Sequence, residues 1–180
     1  MSSVSFVTVF ITLLALGQLD ACASLSVFDK AVAVFDTLKI KGTVKFEQSG
    51  SDVKVTSSLS GLTPNKKHGF HVHEFGDIRN ACAAAGPHYN PENKKHGSDT
   101  SDPRHLGDLG NLQSDATGNV EISVTVKGTI AGFRNFLGRA LVVHEGEDDL
   151  GTGGNEASSA VGNSGARLAC TVIGIQNPSV

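Results

Sequence analysis

The chain has 180 residues, 39% of them hydrophobic, with 21 glycines and few aromatics. That is enough for one domain with a buried core, and it favours a course rich in turns over long helices. The 15 basic and 18 acidic residues leave a net charge of −3, with no basic run or basic patch interleaved with aromatics, which argues against nucleic acid as a partner.

Residues 1–23 differ from everything after them. The run 4–17 (VSFVTVFITLLALG) is apolar apart from Ser5, Thr8, Thr12 and Gly17, too short to span a bilayer, and followed by Ala21-Cys22-Ala23, the small-x-small pattern that precedes a cleavage point. This reads as a secretory signal peptide cut after Ala23, leaving residues 24–180 as a secreted, extracellular domain with no membrane attachment. Met1 to Ser3 carry no side-chain charge, which departs from the usual signal pattern, so an uncleaved signal anchor is the alternative. A buried core element is a third reading, disfavoured because the run has no amphipathic period.

Cleavage would remove Cys22 and leave Cys82 and Cys170 as an even pair in an oxidising compartment, which reads as a disulfide, with two buried free thiols as the alternative. Closing a loop of that span stabilises by roughly 4 kcal/mol in the chain-entropy account. Asn177-Pro178-Ser179 is blocked by proline as a glycosylation acceptor, so glycosylation adds no support for secretion.

From residue 31 the pattern is strand, turn, strand. Residues 31–35 (AVAVF), 40–46 (IKGTVKF), 53–59 (VKVTSSL), 120–126 (VEISVTV), 140–144 (ALVVH) and 168–175 (LACTVIGI) are short, rich in β-branched residues and separated by Gly, Asn, Asp or Ser. Val120, Ile122, Val124 and Val126 alternate with polar residues, as in an antiparallel strand with one buried face. No window of useful length shows a helical period. The expected fold is an all-β antiparallel sandwich or flattened barrel. Residues 76–118 and 145–166 fit no strand; loops that long are functional or are disordered insertions.

The chemistry gathers at residues 68–77 (HGFHVHEFGD). On a strand, residues two apart share a face, so His71 and His73 project together while Phe70 and Val72 point the other way. The remaining histidines are His68, His88, His96, His105 and His144, and nitrogen donors suit zinc, copper, iron and nickel. His71, His73, His88, His96, His105, Asp108 and His144 are candidate ligands. A tetrahedral zinc needs about four, whereas two four-coordinate metals need about eight positions, which this set fills if one imidazole uses both ring nitrogens. His88 lies in sequence between the strand pair and the loop cluster and is the candidate for sharing.

The runs HGFHVHEFGD, AGPHYNP, KHG, RHLGDLGN, LVVHEGEDDLG, GGNE and GNSGARLACTVIGI, in this order and spacing, resemble the copper/zinc superoxide dismutase family over about residues 26–176. The resemblance implies the Greek-key, immunoglobulin-like sandwich of which these enzymes are a standard example. It implies dismutation of superoxide to dioxygen and hydrogen peroxide, in antioxidant defence outside the cell, with one copper and one zinc per subunit. Copper would be held by His71, His73, His88 and His144, and zinc by His88, His96, His105 and Asp108, with His88 as the bridge and proton source. Asp148 matches the carboxylate linking a copper-ligand and a zinc-ligand histidine. Arg167 matches the arginine that holds superoxide near copper, and Cys82 with Cys170 matches the intrasubunit disulfide. His68 matches a histidine outside both metal sites and reads as a core residue. A homodimer is also implied, with Phe75, Gly76 and the last strand near the contact.

A secreted zinc-binding module without redox chemistry is the alternative, opposed by the full copper set. A copper-delivering chaperone would need an added Cys-x-x-Cys domain, and no Cys-x-x-Cys occurs in the chain. The chain departs from the family where a steering lysine and a threonine are common, at Ala160 and Val161, and where Gly146 replaces another frequent lysine. No lysine remains in residues 145–166. The expectation is an enzyme with weaker long-range steering that leans on Arg167.

Overall fold

Alternation of apolar and polar residues builds one face of the core. In β1 (Lys30–Asp36), Ala31, Ala33 and Phe35 are buried while Lys30, Val34 and Asp36 are exposed. β2 (Lys41–Ser49) buries Val44 and Phe46, and β3 (Asp52–Ser60) buries Val53, Val55 and Leu59 on the same side. β6 (Val120–Lys127) carries the predicted alternation, and β9 (Gly174–Ile175) completes an antiparallel sheet of order β6-β3-β2-β1-β9.

The second sheet has the order β5-β4-β7-β8, formed by β4 (Lys67–Val72), β5 (Asp108–Gln113), β7 (Ala140–His144) and β8 (Arg167–Val172). Phe70 and Val72 of β4 and Leu141 and Val143 of β7 meet Phe35, Phe46 and Phe136 between the sheets. Each such side chain contributes roughly 1.5–3 kcal/mol by leaving water. This is the all-β sandwich the alternation predicts, an open flattened barrel of two antiparallel layers. The structure is a computed structural model that describes residues 28–132 and 135–179. The expected leader lies outside the described residues.

β7 is buried along its whole length because its other face is covered too: Ala140 and Val142 pack with Ala85 and Cys170. The two long segments lie on that outer side of the second sheet. The first is tied down where Cys82 bonds to Cys170 of β8, with Cα atoms 5.9 Å apart, well within disulfide reach.

The structure differs from the pattern expected of the sequence in three places. The single strand expected at 168–175 is two strands in different sheets, β8 and β9. They part at Ile173, whose side chain is fully buried and whose amide donates to the Arg139 carbonyl one step beyond the Ala140–Val172 pair, after which Gly174 pairs with Val32 of β1 in the other sheet. The segment 76–118 is not all loop: it holds β5 and a one-turn 3-10 helix, Ala83–Ala85. The segment 145–166 holds a short helix, α1 (Glu156–Val161), too brief for a period to show. Asn155 caps it by accepting from the Ser158 amide, and Gly162 ends it in the left-handed region at φ 70°.

Candidate metal centre

The alternation of β4 does what the His-x-His spacing implies. With Phe70 and Val72 committed to the core, His71 is turned to the outer face. His73, just past the strand end, pairs in an isolated bridge with His88. β7 delivers His144 at its end, and β5 begins with Asp108. The first long segment brings in His88, His96 and His105, and the second brings in Asp148. All are buried. Every metal ligand named from the sequence therefore converges on one water-poor space.

The rings fall into two groups that share a member. Ligand atoms of His71, His73, His88 and His144 all lie within 4.8 Å of one another, and so do those of His88, His96, His105 and Asp108. Hydrogen bonds settle which nitrogens point inward. His73 Nδ1 donates to the Gly86 carbonyl at 2.9 Å and His144 Nδ1 donates to the Gly165 carbonyl at 3.2 Å, so each proton sits on Nδ1. The two Nε2 lone pairs then face each other at 3.3 Å. His71 Nε2 donates to Asp148 Oδ2 at 2.7 Å, leaving Nδ1 buried without a partner, and His88 Nε2 is likewise unpartnered.

Buried lone pairs aimed at one another are costly unless a cation or a proton lies between them. Burial and the charge of His88 hold His71 down at about 3 and His73 at about 2, and burial foremost holds His144 down at about 4. Protons are therefore excluded near neutrality, and the four nitrogens suit a metal ion with an imidazole preference, such as copper or zinc.

The second group is built around a carboxylate. Asp108 Oδ2 accepts from the amides of His105 at 2.8 Å and Gly97 at 3.1 Å, which leaves Oδ1 to face three imidazole nitrogens. His88 Nδ1 and His96 Nδ1 stand 3.0 Å away and His105 Nδ1 stands 3.3 Å away. The His96 and His105 contacts lack hydrogen-bond geometry; both atoms are buried without a partner. Three nitrogens and one oxygen make the donor set of a tetrahedral zinc site. Against burial, the surrounding imidazoles keep Asp108 far below the usual carboxylate range. For His96, burial is outweighed by Asp108 and Asp148, which push it up to about 9.

Asp148 joins the groups. Its Oδ2 accepts from His71 at 2.7 Å and its Oδ1 accepts from His96 Nε2 at 2.8 Å, and these bonds overcome burial to hold it at about 2. The carboxylate is itself fixed: the Asp148 amide donates to Asn111 Oδ1 and the Asn111 amide donates to the Asp148 carbonyl, each at 2.8 Å. Asn111 and Gly162 were not singled out in the sequence, although both lie in the quoted runs. A Cβ at Gly162 would fall 1.9 Å from Asp148 Oδ1 and 2.5 Å from His96 Nε2.

Arg167 begins β8 and donates to the carbonyl oxygens of Cys82, Ala83 and Gly86, the last of which also receives the His73 bond. Its charge helps keep His73 and His144 neutral. His68 stands apart from both groups, bonded through Nδ1 to the His144 carbonyl at 2.8 Å.

Gly162→Ala displaces the one carboxylate that orients a ring in each group, so it should weaken binding at both, by about 10- to 100-fold as for other partners of metal-bound histidines. Competition with a chelator of known affinity checks this; unchanged affinity at both groups would contradict the role given to Asp148.

Residues 40–173 match the family model described as copper/zinc superoxide dismutase (SODC). A superoxide dismutase [Cu-Zn] of Humicola lutea is 52% identical over 150 residues, spanning 81% of this chain and 98% of that protein. One of Schizosaccharomyces pombe is 50% identical over 150 residues, spanning 81% and 97%. Among solved structures, that titled as the clock protein EA4 superposes with a TM-score of 0.80 at 39% identity, covering 84% of this chain and 97% of that one. With two histidine groups fit for copper and zinc on a matching sandwich, the chain belongs to the copper/zinc superoxide dismutase family.

Proposed function

We propose that superoxide dismutation runs on the two-group cluster, with His71, His73, His88 and His144 holding copper and His88, His96, His105 and Asp108 holding zinc, one of each per subunit. The observation that carries this division is His88, whose Nε2 is unpartnered in the all-imidazole group while its Nδ1 stands 3.0 Å from Asp108 in the other. When bound, copper supplies a reversible one-electron couple that passes an electron from one superoxide to another, and zinc supplies fixed positive charge.

The chain's own residues do the rest. The His71, His73 and His144 imidazoles stay neutral, as ligands must, because desolvation opposes their protonation. His88, with Nδ1 turned to the zinc group, would carry a proton at Nε2 only while that atom is not held by copper, and would then give one of the protons that the second superoxide takes up on becoming hydrogen peroxide. Asp148 keeps the His71 and His96 rings in the tautomers that leave Nδ1 for metal. Arg167, fixed by carbonyl oxygens beside His73, holds the anionic substrate by its charge and remaining N–H donors. His144→Ala should remove a copper ligand and spare zinc: dismutation is expected to be lost together with copper, while zinc stays near one per chain. Full activity in that variant, or loss of zinc with copper retained, would contradict the assignment.

The finer reading is a secreted, extracellular homodimer freed of residues 1–23. In support, Phe75, Ile78, Val172 and Ile175 are large apolar side chains 37–53% exposed. Val172 lies 3.6 Å from where a Cβ at Gly76 would sit, so the patch joins the turn after β4 to the end of β8. A surface of that kind fits a second copy of the chain. The disulfide suits an oxidising compartment, and no helix among the described residues is long and apolar enough to cross a membrane. Protein recovered from culture medium should begin at Ser24 and sediment at twice the mass of the chain. An intact N-terminus in the cell pellet, or a monomer at micromolar concentration, would overturn these points.

A further inference from the structure

A cleft of about 770 Å³ runs from the surface to His88 and His105, two members of the group assigned to zinc. Neither Arg167 nor the rings of His71, His73 and His144 line it, so it leads to the zinc group and away from the place given to copper and substrate. One rim is the turn 90–95, which is preformed: the Asn90 side chain donates to the Lys94 carbonyl at 2.8 Å and accepts from the Lys94 amide at 3.0 Å. The other rim is Ser159 and Ala160 of α1. Among the described residues one backbone hydrogen bond joins the rims, from the His96 amide to the Ser159 carbonyl at 2.9 Å. At the floor only 3% of His88 and 5% of His105 is exposed, so the rims must part for an ion to pass.

We propose that zinc enters and leaves through this cleft, by a path separate from the copper side, and that the His96–Ser159 bond is its latch. The inference rests on the assignment of His88, His96, His105 and Asp108 to zinc. Space allows it: a hydrated cation with about six waters takes on the order of 200 Å³, at about 30 Å³ per water. The walls carry both signs, Glu74 as well as Lys95, so no strong field bars a dication. A second cleft of about 570 Å³ also reaches His105, but Arg104 stands in its wall, a buried cation fixed to the carbonyl oxygens of His105, Leu106 and Asp108. That charge repels a dication at the last step. Latch and ligand are one residue. An incoming ion meets His88 and His105 first, and as the His96 ring closes on it the His96 amide is brought to Ser159 and the rims shut. Release runs the same steps in reverse.

The test places bulk at three points. Ala160→Trp fills the cleft from the α1 rim, Ala157→Trp puts the same bulk on an exposed position of that helix outside both clefts, and Thr100→Trp puts it in the second cleft. Zinc release into an excess of a chromogenic chelator, zinc uptake by the zinc-free protein and zinc affinity at equilibrium are measured on each. A plug raises the barrier and leaves the end states alone, so Ala160→Trp should slow uptake and release alike, by about tenfold, with affinity unchanged. Ala160→Leu should slow both by less, and Ala157→Trp and Thr100→Trp should exchange zinc at the wild-type rate. Wild-type rates in Ala160→Trp, an equal slowing in Ala157→Trp, slowing in Thr100→Trp instead, or a changed affinity in Ala160→Trp would overturn the route. A wild-type chain that takes up copper but no zinc would overturn the zinc assignment and the route together.

Discussion

One buried carboxylate orders the centre of this molecule. Asp148 binds a ring from each histidine group, and through those bonds it decides which nitrogen of His71 and of His96 is left for a metal. Much of the second long segment serves that carboxylate. The helix α1 ends at Gly162, where a side chain would collide with Asp148, and Asn111 of β5 clamps the Asp148 backbone from the other side. Removing a negative charge from that position would leave two imidazoles free to turn.

The sandwich beneath is a rigid support for this arrangement. Because β4 gives Phe70 and Val72 to the core, its alternate residue has no choice but the outer face, and β7 meets the same requirement before ending in His144. The long segments lack a continuous ladder, and other bonds replace it. The Cys82–Cys170 link fastens one segment to β8, and Arg167 on the same strand collects its carbonyl oxygens. In the proposed centre, metal ligation from His88, His96 and His105 would fasten the rest. Catalytic geometry and loop stability therefore draw on the same contacts, as expected when a metal site forms only in the folded chain.

Sequence carried much of this. Strand alternation is local, so β1, β2, β3, β6 and β7 were legible within a residue or three at their ends, and the His-x-His spacing carried its meaning directly. What escaped depends on contacts distant in sequence. β5 begins with the candidate ligand Asp108 and reads DLGNLQ, a pattern interrupted by Gly110 and Asn111, so only its pairing with β4 marks it as a strand. The split between β8 and β9 at Ile173 follows from which sheet each half meets, something that LACTVIGI does not encode locally. Gly162 and Asn111 belong to no motif of their own, and their role follows only from their contacts with Asp148.

The most direct test of a two-metal centre joined through His88 is a stepwise titration of the metal-free chain, zinc first and copper second, with superoxide dismutation followed throughout. The geometry requires one zinc per chain without activity, then one copper per chain with activity rising in proportion to copper. Saturation at a single metal per chain, or activity with zinc alone, would contradict it.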